Sequence, residues 1–220
     1  MPNEDLFPPA PEGAQLIHTR QYEVRTYKMA DDRFILRGVV SDEKPAGLYV
    51  SGDPDPLRMH HMIVDLEVAF PSFQITAVRV DFKAHPHTLC TDITDDYQQL
   101  VGLSIARGFT AKVKELFGGP RGCTHVGALL AAMAPVAIQS GWSMRAGTIL
   151  RNPSVDAESI DEQRKRAFAQ NLNTCHMWRE DGSMATSLRE GTPIEVPLPV
   201  QRRLANLGRS LEEWTSTPPG

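Results

Sequence analysis

Apolar and polar residues alternate with a period of two from about residue 18 to residue 83, and then with a period near 3.6. The first pattern predicts four strands. One runs from His18 to Tyr27, where Tyr22, Val24 and Thr26 alternate with Glu23 and Arg25. A second runs from Arg33 to Val40, with Met29-Ala30-Asp31-Asp32 as a hairpin loop between them. Lys44 to Leu57 reads as a loop, because Pro45, Gly47, Gly52, Pro54 and Pro56 crowd it. The third strand runs from Met59 to Phe70. Met62, Val64, Leu66, Val68 and Phe70 share one face, with His61, Asp65 and Glu67 on the other. Pro71-Ser72 makes the turn. The fourth strand, Gln74 to Lys83, puts Thr76, Val78, Val80 and Phe82 inward and Arg79, Asp81 and Lys83 outward.

The helical period starts after Thr94-Asp95-Asp96, a capping hydroxyl followed by acids. Tyr97, Leu100, Val101 and Ser104 fall on one face of that first helix, and Gly108 ends it. Phe109 to Phe117 is a second helix, stopped by Gly118-Gly119-Pro120. A third opens at Cys123 or Thr124 and runs to about Gln139. Val126, Leu129, Leu130, Met133 and Ala137 form its apolar stripe, and Pro135 interrupts it. Beyond Gly141 the pattern predicts a helix over Ile160 to Leu172 and a strand at Cys175 to Trp178 before an Asp181-Gly182 turn. An extended piece at Pro193 to Pro197 and a charged helix from Val200 to Trp214 follow.

Segregated strands and helices give an α+β class: a four-stranded antiparallel sheet of two hairpins, with the following helices packed on one face, plus a mixed C-terminal extension. The expected organisation is a flexible arm over 1–14, which holds four prolines, and a core domain over 15–145. An extension over 146–214 packs on that core, and 215–220 is a tail. A net charge of −4 argues against a broad basic surface for nucleic acid and leaves room for a local patch. The N-terminus lacks the cationic start and apolar run of a signal peptide, and no unbroken apolar run of about 18 residues is present, so no membrane span is expected. Three cysteines do not make a disulfide scaffold, and a reduced cytoplasmic setting is expected. A homodimer is the expected assembly, dimers being the commonest closed form.

No nucleotide-binding, zincin or nucleophile-elbow motif is present. Gly118-Gly119-Pro120-Arg121-Gly122 reads mainly as a helix stop followed by a turn. The histidines are more informative. His18 and Arg20 share parity with Tyr22 and Val24, and His60 shares parity with Met62, so all three point to the core face. His61 points the other way, with Asp65. Tyr97, on a helix's inner face, is a core residue or a phenol able to donate a proton. After the last strand comes His85-Pro86-His87-Thr88-Leu89-Cys90, and at a helix start comes Gly122-Cys123-Thr124-His125. The helix start favours the thiolate of Cys123. A Cys123–His125 dyad within one helix is not expected, since residues i and i+2 point about 200° apart.

Three readings of these residues stand side by side. Nitrogen and sulfur donors at His85, His87, Cys90, Cys123 and His125 suit zinc, in a hydrolase, or an iron–sulfur accessory role. Histidines also suit acid–base chemistry without a cofactor, because their ordinary pKa lies near neutrality. The third reading is structural: packed thiols and turn-capping imidazoles.

His18-Thr-Arg20, Met62-Ile-Val-Asp65, His85-Pro-His87-Thr-Leu-Cys90, Leu100 through Gly108-Phe109 and Gly122-Cys-Thr-His125, in that order, resemble a bacterial family, domain of unknown function 2889. The resemblance runs from about residue 15 to 180. It implies a setting in the breakdown of aromatic compounds, favours an enzyme over a structural protein, and draws attention to His18, Arg20, His85, His87, Cys90, Cys123 and His125. The expectation that follows is a cofactor-free lyase of aromatic catabolism that expels a small carbonyl fragment such as formaldehyde. His18, His60, His125 and Tyr97 would move protons. Arg20, with His61, Asp65 and Tyr97, would hold the substrate.

Overall fold

The computed structural model describes residues 7–151, 171–192 and 195–212. Four strands come first: β1 (Thr19–Ala30), β2 (Arg33–Lys44), β3 (Leu57–Ala69) and β4 (Ile75–Ala84). They pair antiparallel in chain order, so the sheet is a simple meander. Each strand begins or ends within a few residues of its predicted bounds, and β2 is longer, extending four residues past Val40. That extension matters for the site.

The alternation sorts the two faces. Phe34, Leu36, Val40, Met62, Val64, Leu66 and Val68 are buried on one face. Arg37, Asp65, Arg79 and Lys83 stand on the other, where partial exposure is the rule. In β4 the pairing shifts between Glu67 and Val68 of β3. The irregularity puts Ile75 into the core and leaves Thr76 exposed, bonded to Glu67, where the simple alternation expects Thr76 inward.

The helix expected after Thr94 is not one. Thr88–Ile93 and Asp95–Leu100 are two short 3₁₀ turns, and the chain then straightens so that Ser104 bridges Gln74. Tyr97 and Leu100 are buried as expected, but Val101 is exposed. Gly108, expected to end that helix, takes φ 64° and instead opens α1 (Phe109–Phe117).

α2 (Thr124–Arg151) is longer than its stripe predicts and carries Pro135 within it. Val126, Leu129, Leu130, Met133 and Ala137 are wholly buried and lie over the sheet. The approach is close at Gly38 of β2. A Cβ there would lie 2.6 Å from Met133 Sδ and 3.0 Å from Leu129 Cδ1, so the strand needs glycine beneath the helix. Thr124–Met144 has the length and mean hydropathy (1.3) of a membrane-crossing helix, although its sequence has no unbroken apolar run. Its buried stripe belongs to the core of this unit.

The chain divides into two compact units, residues 1–144 and 145–220. In the first, residues 7–14 of the expected arm are exposed and form neither strand nor helix. In the second, α3 (Ser183–Glu190) and α4 (Leu198–Asn206) are present. Cys175 to Trp178, expected as a strand, is a 3₁₀ turn at His176–Trp178. Asp181-Gly182 leads into α3 rather than closing a hairpin, Gly182 taking the N-cap place. α4 ends at Asn206, where Gly208 follows with φ 65°; Leu211 and Glu212 are helical again, so the helix expected from Val200 to Trp214 is interrupted, and Trp214 lies outside the described residues. Most of the helix expected at 160–172, residues 193–194 of the expected extended piece, and the tail at 215–220 lie outside the described residues.

Candidate functional site

The extra turn of strand at the end of β2 sets the site. Asp42 has the parity of Val40, Leu36 and Phe34, so it faces the core. Its register partners are Arg20 on β1 and His60 on β3. One row across three strands therefore carries a cation, an anion and an imidazole on a single face. The Asp42 side chain is only 3% exposed. A carboxylate so buried needs compensating charge and hydrogen bonds.

It has both. Arg20 donates from Nε to Oδ1 and from Nη2 to Oδ2, each at 2.6 Å. Ring nitrogens of His60 (Nδ1, 3.1 Å) and His125 (Nε2, 3.0 Å) both reach Oδ2. His18 Nε2 lies 3.7 Å from Oδ1, at the exposed rim. The Arg20 bond holds the Asp42 carboxyl down at about 2, and the same pairing raises Arg20 above its ordinary value. An ionised carboxylate only accepts, so His60 Nδ1 and His125 Nε2 carry the hydrogens. In a neutral ring the lone pair is then on the other nitrogen, Nε2 of His60 or Nδ1 of His125. The two rings stack at 3.9 Å between centroids. Burial lowers the His125 pKa, and the neighbouring His60 and Arg20 lower it further, against the pull of Asp42. The imidazole is thus kept neutral, as a base must be.

His125 reaches this row from the first turn of α2. The chain before it runs tightly over the end of α1: a Cβ on Gly122 would meet Phe117 O at 2.6 Å and Phe117 Cβ at 2.7 Å. Glycine there lets Cys123 and His125 come down onto the sheet. Tyr97 fixes the same point from below. It is wholly buried against Phe117, and its hydroxyl accepts the Cys123 N–H at 3.0 Å. Desolvation pushes its own pKa up to about 12. Tyr97 therefore positions the α2 start; burial keeps it from the proton-donor and substrate-binding roles expected of it.

Cys123 Sγ lies 3.6 Å from His125 Nδ1. The two were not expected to face each other. That expectation assumed both were helical, but α2 begins at Thr124 and Cys123 precedes it, outside the helical rotation of about 200° that would separate them.

The other expected residues are placed elsewhere. His61 and Asp65 are on the opposite face. Asp65 takes two bonds from Arg37 at 2.7 and 2.8 Å, and His61 is held below its ordinary pKa by desolvation and by Arg58 and Lys83. Neither meets the Asp42 row. His85 Nδ1 bonds the His87 carbonyl at 2.8 Å, and half-buried Cys90 packs against the core. Among the described residues, the only group of three or more His, Cys, Asp and Glu side chains with ligand atoms all within 4.8 Å of one another is Asp42, His60 and His125. The expected set of His85, His87, Cys90, Cys123 and His125 is not brought together. The gathered set has the spacing of a cation site but not its charge. Arg20 already holds both Asp42 oxygens, and a divalent ion would sit beside that guanidinium. As they stand, these residues do not fit a metal.

Fold and site together describe an α+β protein with a histidine–aspartate cluster at the end of an antiparallel meander. The chain belongs to the family described as Protein of unknown function (DUF2889), whose model matches residues 18–139, more than half of its length. The match opens at His18 and encloses the whole cluster. Comparison with curated proteins and with solved structures gave no match.

Proposed function

We propose that the chain is a lyase that acts on a hydroxyl-bearing aromatic compound by proton transfer alone. The observation that carries this is the pair of stacked imidazoles on one buried carboxylate, each with only one ring nitrogen on Asp42. In the reaction, a histidine lone pair takes the proton of a hydroxyl group. The C–O bond becomes a carbonyl as the adjacent C–C bond breaks, and the departing pair passes into the conjugated ring. A small carbonyl compound such as formaldehyde leaves, and a protonated imidazole returns the proton to carbon. His60 Nε2 serves as base, and His18, 36% exposed at the rim, is the second proton carrier. Arg20 supplies positive charge for an anionic or phenolate oxygen.

The aromatic setting comes from the family resemblance; the proton chemistry comes from the cluster. The test is a screen of aromatic substrates followed by His18→Ala, His60→Ala and His125→Ala on whichever compound turns over. Losses of roughly 10²–10⁴-fold for the two imidazoles on Asp42, in variants that melt like the parent, support the reading. Full activity in all three variants overturns it.

A further inference from the structure

We propose that Cys123 is a nucleophilic thiol, held by a Cys123–His125–Asp42 relay, and that it captures a small aldehyde as a thiohemiacetal. The two imidazoles on Asp42 are not equivalent. The free nitrogen of His125 is turned to Cys123 Sγ at 3.6 Å, while its other nitrogen donates to Asp42 at 3.0 Å. The carboxylate thereby fixes the tautomer in which Nδ1 can receive the thiol proton, the arrangement by which a base activates a nucleophile. Stacking against His60 fixes the ring plane. The hydroxyl of Tyr97 fixes the backbone of Cys123. The first helical bond runs from Gly127 N–H to the Cys123 carbonyl. The N–H groups of Thr124, His125 and Val126 therefore have no acceptor inside α2, and donors stand next to the thiol in the chain for the oxygen of an adduct. Among the described residues, neither Cys90 nor Cys175 has a histidine partner of this kind.

The step balances without a co-reactant. The thiol proton passes to His125 Nδ1 and the sulfur pair forms a bond to the carbonyl carbon. The π pair of the carbonyl moves to oxygen, which takes the proton back from His125. One C–S bond and one hydroxyl result, with nothing oxidised or reduced. The choice of an aldehyde rests on the lyase reading above, whose expelled fragment is one; the reactivity of the thiol does not. His125 then serves the thiol and also, through its stack, holds the His60 ring that serves the substrate hydroxyl.

The test is alkylation of the full chain by iodoacetamide, with the rate at each cysteine followed by peptide mass spectrometry. At pH 7 the Cys123 rate is expected to fall about tenfold in both His125→Gln and Asp42→Asn, while exposed Cys175 is unchanged. Thermal melts show whether each variant is folded. Formaldehyde, removable by dialysis, is expected to slow alkylation of Cys123 at concentrations that spare Cys175. Equal Cys123 rates in parent and folded variants overturn the relay. A relay intact but blind to formaldehyde overturns the aldehyde assignment. Failure to turn over any aromatic compound would sink the lyase reading and leave the alkylation result standing.

Discussion

Two arginine–aspartate pairs cross this sheet, and they differ in almost nothing but address. Arg20 and Asp42 face each other across β1 and β2; Arg37 and Asp65 face each other across β2 and β3. Both are two-bonded, at 2.6 and 2.6 Å in one and 2.7 and 2.8 Å in the other. Yet Asp65 stands on the solvated face at 20% exposure, while Asp42 stands on the packed face at 3%. The solvated pair is complete in itself, as surface pairs are. The buried carboxylate drew in two imidazoles and a third at the rim. Ion-pair geometry does not mark a site; the desolvation that forces more donors onto one oxygen does.

The largest expected effect lies in stability. Arg20→Ala leaves a buried carboxylate without its cation. A loss of about 3 kcal/mol or more is expected at pH 8, measured by urea unfolding. The loss is expected to shrink as pH falls, because without Arg20 one of the causes that oppose a charge on His125 is gone. Arg37→Ala is expected to cost far less and to show no such recovery. Equal losses at both arginines would erase the distinction between the pairs.

The acid limb comes next. The Asp42 pKa is lowered from 3.8 to about 2 in the folded chain, so unfolding takes up a proton between those values. Its stabilisation is present above about pH 4 and is lost as pH falls through about 2, an effect of about 2 kcal/mol. Asp42→Asn is expected to flatten that part of the stability curve. A curve unchanged by the substitution would place the acid sensitivity elsewhere.

The smallest effect is expected on the solvated face. His61→Ala and Asp65→Ala should leave turnover of a confirmed substrate within about twofold of the parent, as substitutions away from the reacting groups do. A large loss at either would restore the substrate-binding role expected from the sequence.

Half of the Asp42 row was legible before the structure, and the reasons are specific. Parity put His18, Arg20 and His60 on the core face, because alternation is strict wherever one side is buried. Asp42 was hidden because Ser41-Asp42-Glu43-Lys44 is a polar run, which reads as the end of a strand. Register with Arg20 and His60 keeps it in the ladder, and carrying the alternation two residues beyond Val40 would have exposed an acid with core parity. His125 was singled out as a residue type at a helix start, but its partner lies 83 positions away. No local pattern shows such a contact. Helical spacing does not apply to Cys123, which precedes the helix. Tyr97 was read from an amphipathic helix that proved to be a 3₁₀ turn; its inward direction survived and its access to a substrate did not.

The central claim is that Asp42 holds a neutral His125 ring by Nε2, with Nδ1 left as a base, beside a His60 ring whose Nδ1 meets the same carboxylate. Nitrogen-detected NMR of the histidine rings tests this without any substrate. At pH 7 the account predicts His125 neutral, protonated on Nε2 and bare on Nδ1, with titration below the ordinary histidine value because burial, His60 and Arg20 oppose its charge. It predicts His60 with its hydrogen on Nδ1 whenever neutral. A His125 ring that is doubly protonated at pH 7, or that carries its hydrogen on Nδ1, would contradict it.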